Sequence, residues 1–188
     1  MRISFLAPVI AIAFSGCFQQ IAVSSLGGLM ETGFEVLNQE QDLDLADKSI
    51  ASNLILLETI LRRDPDNSKY LLLASIGYSS YALGFVEDDS AARALLFYER
   101  AKEHALRILA RHEQFARASG RSAGEFKDAL ASLSNEDVPA AFWTAVAWGG
   151  SILVNLGEPA AIAELPKVEA LMQFVLGKDP AYFHGGAH

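Results

Sequence analysis

Apolar residues recur at intervals of three and four along most of this chain. The first clear run consists of Ala46, Ile50, Leu54, Leu57 and Leu61. This spacing places the side chains on one face of an amphipathic helix that begins near residue 43. The pattern also predicts a second helix over about 68–81 and a third from about 91 to beyond residue 112. No segment alternates apolar and polar residues over the length of a strand, so the pattern predicts an all-α protein.

Residues typical of helix ends separate six predicted helices. The sequence Asp-Pro-Asp-Asn at 64–67 ends the first helix, and the polar stretch 86–90 ends the second. Ser122 and Glu125 have the spacing of a capping box, which predicts the start of a fourth helix.

The fifth and sixth predicted helices each begin beside a proline. Asp137 and Pro139 fit the cap and first turn of the fifth, Pro166 opens the sixth, and Gly177 is expected to close it. The sixth helix carries an apolar face that we expect to be left uncovered: Val168, Leu171, Met172 and Val175.

Composition and charge exclude several kinds of function and site. The 188 residues are 51% hydrophobic, which is enough for one domain with its own core. The formal net charge is −8, and nucleic-acid binding depends on clustered Lys and Arg, so we exclude it. Cys17 is the single cysteine, which excludes a disulfide within the chain and a cysteine-rich zinc site.

The N-terminus has the layout of a secretory leader. Met1-Arg2 is positively charged, residues 3–14 are mostly apolar, and small residues precede Cys17. The tetrad Phe14-Ser15-Gly16-Cys17 resembles the bacterial lipobox, in which the cysteine is diacylated. We therefore expect a signal peptide over 1–16, lipidation at Cys17, and a tether with a weak first helix over 17–42. The alternative is a buried N-terminal helix with an inert cysteine.

Helix pairs of this length suggest a repeat. Asp64-Pro65 matches the dipeptide that closes a tetratricopeptide unit, Tyr78 falls at its first-helix tyrosine, and Asp179-Pro180 is a second closing dipeptide. The Ala-aromatic-Ala spacing of the second helix is met by Ala94, Tyr98 and Ala101. The alternative is an ordinary helical bundle with two Asp-Pro caps.

Several segments in order resemble the T-component family of tripartite ATP-independent periplasmic (TRAP) transporter systems. They are Asp64-Pro-Asp-Asn, Gly77-Tyr78, Tyr81-Ala82, Phe85-Val86-Glu87, Phe142-Trp143, Ala147-Trp148-Gly149, Leu165-Pro166-Lys167-Val168, Asp179-Pro180 and His184-Gly-Gly-Ala-His188. The resemblance covers nearly the whole chain from about residue 43. It implies a tetratricopeptide-like helical superhelix over 43–188. Because family proteins continue with further helix pairs, we expect this chain to be truncated at its C-terminus.

The resemblance implies an accessory transport role rather than an enzyme. Family members are periplasmic lipoproteins thought to form trimers, to bind the periplasmic solute-binding component, and to pass a small apolar or carboxylated ligand. The alternative is a tetratricopeptide-type envelope lipoprotein that scaffolds proteins without a small ligand. Phe18 after the cysteine favours anchoring in the outer membrane rather than the inner one.

Aromatic residues are the candidates for lining a ligand passage. They are Phe142, Trp143 and Trp148 on the fifth helix and Tyr78, Tyr81 and Phe85 on the second; the alternative for each is core packing. The sequence has no phosphate-binding loop and no His-Glu-x-x-His, and Glu99, Glu103 and His104 are expected on a solvated helix face. His184 and His188 are four residues apart, but Gly185-Gly186 weakens a helix there, so we expect no metal site and no cofactor.

Overall fold

The computed structural model describes residues 28–30, 32–37 and 39–188. The predicted signal peptide over 1–16 and the lipidation site Cys17 lie outside the described residues. The chain divides into two compact units, Met1–Ala46 and Asp47–His188. In the first unit, residues 28–30 and 32–37 are helical, within the segment where the sequence predicts a weak helix.

Helices form the regular structure of the described residues, and no strand occurs among them. The α-helices are α1 (Leu43–Leu61), α2 (Ser68–Phe85), α3 (Ala91–Leu109), α4 (Glu113–Ala118), α5 (Ala123–Ala129), α6 (Val138–Leu153), α7 (Pro159–Ile162) and α8 (Leu165–Lys178). Short 3-10 turns cover Leu130–Ser132 and Asn135–Asp137, and a last turn covers Tyr182–Gly185. The all-α prediction is confirmed, whereas the tetratricopeptide-like repeat stays a prediction.

Side-chain caps start several of these helices. Asn67 Oδ1 accepts hydrogen bonds from the backbone N–H groups of Lys69 and Tyr70 at the start of α2. The predicted capping box is present at α5, where Ser122 and Glu125 bond each other's backbone N–H groups. Among the described helices, none is long and apolar enough to cross a membrane.

Helix α6 is the centre of the core, because α2, α3 and α8 all pack against it. Eleven of its residues are buried, and most are alanine or aromatic. It runs antiparallel to α3, since Gly150 lies against Tyr98 at one end and Asp137 pairs with His112 at the other. The sequence of α6 is apolar on all its faces because the helix is surrounded by other helices.

The predicted helix ends need three corrections. Helix α2 continues to Phe85, and α3 ends at Leu109, after which α4 begins at Glu113. Gly177 lies inside α8, which ends at Lys178 rather than closing at the glycine.

The apolar face predicted to be uncovered on the sixth helix is largely covered. Leu171 and Val175 are both 0% exposed, because α8 packs on α6, and Val168 and Met172 are half-buried. Tyr78 and Ala94 are both buried, and α2 and α3 pack against each other.

Candidate functional site

Three of the predicted passage residues lie in a ring cluster between α2 and α3. Tyr78, Tyr81 and Phe85 project from α2, and Phe97 of α3 joins them. The centroid of the Phe97 ring is 5.3 Å from that of Tyr81 and 5.8 Å from that of Tyr78. Tyr78 is 1% exposed, and Tyr81 is also buried, so this cluster packs as part of the core.

Phe142 and Trp143 form a second cluster with the last turn of the chain. The ring of Phe183 lies 5.3 Å from the ring of Phe142 and 5.0 Å from that of Trp143, and Tyr182 lies 5.3 Å from Phe142. Burial raises the pKa of Tyr182, against the opposing effect of its hydrogen bond with Trp143. Phe183 and His184 have φ of 47° and 59°, which side chains of this size rarely adopt. The last turn therefore has a left-handed backbone at Phe183 and His184, and it lies against the buried rings of Phe142 and Trp143.

Trp148 belongs to a third cluster, with Phe126 and Phe115. The ammonium groups of Lys102 and Lys167 lie 5.1 and 5.5 Å from the Trp148 ring, within the range of a cation–π interaction. Lys167 is buried, and its Nζ lies 2.8 Å from Glu164 Oε2. A buried lysine of this kind is tolerated because its charge is paired.

The six predicted passage residues therefore divide among three ring clusters. All but Phe85 are buried, which is the core-packing alternative for these side chains. Their role in a ligand passage stays a prediction. Within the described part of the chain, no group of three or more His, Cys, Asp or Glu side chains is placed to hold a metal ion.

A Gly-x-Ser-x-Gly sequence at 120–124 has a structural role here. Ser122 is exposed, and its hydroxyl donates to Glu125 Oε2 at 2.7 Å as part of the α5 capping box. In hydrolases this sequence turns from a strand into a helix, and the described residues contain no strand. The hydroxyl of Ser122 is therefore part of the cap that starts α5.

A polar network joins α1, α2 and α3 beside the first ring cluster. His104 Nε2 of α3 lies 3.1 Å from Glu58 Oε1 of α1, and Arg100 Nε lies 3.9 Å from the same oxygen. Arg100 Nη1 donates to the hydroxyl of Tyr78 at 3.1 Å, and its guanidinium carbon lies 5.3 Å from the centre of that ring. His104 is only 6% exposed, so the prediction that it lies on a solvated face is wrong.

The network keeps the Glu58 carboxylate ionised. Burial alone would raise the pKa of Glu58, but hydrogen bonds from His104 and Tyr78 and the charge of Arg100 lower that pKa below its ordinary value. Burial raises the pKa of Tyr78, so its hydroxyl keeps its proton and can donate to the carboxylate.

A groove of about 440 Å³ runs between α1 and α3 over this network. It is lined by Ile55, Glu58, Thr59 and Arg62 from the α1 side and by Arg100, Glu103, His104 and Arg107 from α3. Sequence reasoning missed this groove because its two halves, residues 55–62 and 100–107, are 45 residues apart in the sequence. One local signal could have placed His104 on the buried face of α3. His104 is three residues after buried Ala101 and four before buried Ile108, and residues at this spacing share a helix face.

A family model described as TRAP transporter T-component matches residues 39–188. The chain belongs to the TRAP transporter T-component family. Comparison with curated proteins and comparison with solved structures each gave no match. Membership of this transporter accessory family gives the chain an accessory role in a TRAP transporter.

Proposed function

We propose that this T-component is a lipid-anchored periplasmic protein that binds the solute-binding component of its TRAP system and helps pass a small apolar or carboxylated ligand. The observation that carries the proposal is the family match over residues 39–188. The leader-like N-terminus and Cys17 support export and anchoring, which we assign to the outer membrane. The family resemblance also supports a homotrimer.

Exposed apolar side chains provide a contact surface for the partner. Leu153, Leu156, Ile162 and Leu165 are 62%, 55%, 42% and 45% exposed, all within the segment 153–165. Soluble proteins rarely leave such side chains close together on the surface unless they bind something. We assign contact with the solute-binding component to this segment.

The experiment is co-purification of the tagged chain with the solute-binding component of the TRAP system encoded in the same genome. We expect the two proteins to elute together, and Leu156→Asp with Ile162→Asp to reduce that recovery. Leu83→Asp is the matched control, because Leu83 is 63% exposed but lies near the end of α2. Absence of the solute-binding component from the eluate would contradict the proposed function. Equal loss in the variant and the control would contradict the assigned segment.

A scaffold without a small ligand is the second candidate. The observation that favours it is the burial of the predicted passage residues in three core clusters. A T-component that binds its partner but binds no small molecule would support this candidate over ligand passage.

A further inference from the structure

A second groove runs along the surface where α5 packs on α8. It consists of two adjoining cavities, of about 240 and 260 Å³, which share Lys127, Ala170 and Gln173 in their linings. The groove begins beside Pro166 and ends beside Lys178, so it is about 18 Å long at the helical rise of about 1.5 Å per residue. About five residues of extended peptide, at about 3.3 Å each, span this length.

The walls of this groove are positively charged, although the protein is acidic. Lys127 lies on the α5 wall and Lys178 on the α8 wall, and both side chains are exposed. The other residues that line this cavity are uncharged: Leu130, Ala131, Leu133, Ala170, Gln173 and Phe174. Two formal positive charges are therefore concentrated here, whereas the whole chain carries −8. A local cationic excess of this kind favours an acidic ligand.

The two lysine charges are not neutralised within the protein. Neither ammonium group makes a hydrogen bond or an ion pair with a residue that the structure describes. The Lys178 ammonium lies 5.8 Å from the centre of the Phe174 ring, and a cation–π interaction at this distance holds it over the groove. Glu169 lines the adjoining cavity, where its carboxylate accepts a hydrogen bond from Gln173 Nε2 at 2.8 Å. Both lysines can therefore pair with acidic groups of another molecule.

The floor between the two lysines is apolar. Leu130 and Leu133 are 5% and 4% exposed, so they present only a small part of each side chain to the groove. The Phe174 ring is half-buried and adds a larger apolar surface. An apolar floor between cationic walls fits a ligand that carries apolar and acidic groups side by side.

We infer that this groove binds an extended acidic segment of the solute-binding component, with carboxylates on Lys127 and Lys178 and an apolar side chain on Phe174. Pro166 directly follows Leu165, so the groove continues the apolar segment 153–165 that we assign to the same partner. The inference rests on the proposed function, and it names the chemistry of the partner segment and its place on this chain.

The separation of the two lysines favours a peptide over a single phosphate group. Lys127 lies beside Ala170 and Gln173, and Lys178 is farther along α8 by about 10 Å. An extended peptide covers about 10 Å in three residues, so acidic residues three positions apart reach both lysines. A lipid headgroup carries its negative charge on one phosphate, which would leave the second lysine unpaired.

The test is the affinity of the full chain, in detergent, for the fluorescently labelled solute-binding component of the same genome. Binding is measured by anisotropy at about 50 and about 300 mM NaCl. We expect Lys127→Gln and Lys178→Gln each to weaken binding about threefold at the lower salt concentration, and about tenfold together. The difference from the unmodified chain should shrink at the higher salt concentration, because salt screens exposed charges.

A matched control separates the groove from net charge. Lys48→Gln with Arg63→Gln removes the same two positive charges from exposed positions outside the groove lining. This control should bind the partner as tightly as the unmodified chain. Ala131→Glu places a carboxylate in the groove at an exposed position, and it should weaken binding at least as much as the loss of both lysines.

The outcomes separate this inference from the proposed function. If the partner binds the unmodified chain, but the groove variants bind as tightly as the control, the inference is wrong and the proposed function stands. If the partner binds none of the chains, both are wrong. A weakening that is equal at both salt concentrations would also contradict pairing of charges.

Two other occupants of the groove would overturn the inference as well. A change in the oligomeric state of the chain alone, measured by sedimentation velocity on the double lysine variant, would assign the groove to a second copy. Loss of phosphatidylglycerol binding from mixed micelles, with unchanged affinity for the partner, would assign the groove to a lipid headgroup.

Discussion

The ring of Tyr98 occupies the space that a Cβ atom on Gly150 would need. A Cβ built on Gly150 would lie 2.5 Å from Tyr98 Cε1, so α3 and α6 approach each other as closely as a glycine allows. The Tyr98 hydroxyl is fixed in turn, because it donates to Glu87 Oε2 at 2.6 Å. The contact sets the spacing of the two helices that form the centre of the core.

Gly150→Ala is expected to destabilise the protein by about 1–3 kcal/mol, because a methyl group must displace a ring that has little room to move. This loss should appear even though alanine favours helix over glycine by about 1 kcal/mol. Gly149→Ala is the control, since its Cβ would meet only Val168 at an ordinary 3.8 Å. Urea unfolding measures both. Equal stability of the two variants would show that α3 and α6 are not in close contact at Tyr98.

The pairing of Asp137 with His112 predicts a pH dependence. Asp137 accepts hydrogen bonds from the Ser134 backbone N–H at 2.7 Å and from its hydroxyl at 2.9 Å, and lies 3.0 Å from His112 Nε2. Burial alone would raise the pKa of Asp137, but these contacts lower it below its ordinary value. A carboxyl with a lowered pKa stabilises the fold above its unfolded pKa, and that stability is lost as the pH falls through the folded pKa.

Asp137→Asn should therefore be less stable than the unmodified chain at pH 7. The difference should narrow below about pH 4, where the aspartate becomes protonated. Denaturant unfolding over this range measures it, with the exposed neighbour Glu136→Gln as the control. A difference that does not narrow below about pH 4 would contradict the lowered pKa of Asp137.

Cys17→Ser should prevent lipid attachment. We expect loss of labelling by a radioactive or clickable fatty acid, and recovery of the protein in the soluble or uncleaved fraction. Multiple acyl chains anchor a protein firmly because each buried methylene contributes about 0.8 kcal/mol. Unchanged membrane fractionation with an unchanged N-terminal mass would contradict the anchor.

The helices were predictable where the signal is local. Ser122 and Glu125 determine the start of α5 by their own hydrogen bonds, and the apolar spacing from Ala46 to Leu61 sets the buried face of α1. The sequence gives no comparable signal for the end of α3 at Leu109, because an apolar face alone does not stop a helix. Burial of Phe115 on the following short helix is a tertiary effect.

The groove between α1 and α3 could not be predicted because it depends on pairing across the fold. Glu58 and His104 are 46 residues apart, and each looks like part of a charged helix surface when it is taken alone. The aromatic residues were easy to find in the sequence, but their grouping was not predictable. Helix packing decides which rings touch, and it places Trp148 in a different cluster from Phe142.

The last prediction concerns the exposure of Trp143 to solvent, which depends on Phe183 in the last turn of the chain. Phe183 is 51% exposed, yet its ring covers Phe142 and Trp143, and Gly186 lies where a Cβ would come within 3.0 Å of the Phe142 ring. Phe183→Ala removes that cover. In a Trp148→Phe background, Trp143 emission should then shift to longer wavelength, and its quenching by acrylamide should increase. Leu156→Ala is the control, because it removes an apolar side chain of similar exposure, 55%, from another segment. Identical spectra for the two variants would show that Phe183 does not cover Trp143 in solution. A shift in Phe183→Ala with unchanged urea unfolding would show that the turn covers these rings without stabilising the core beneath them.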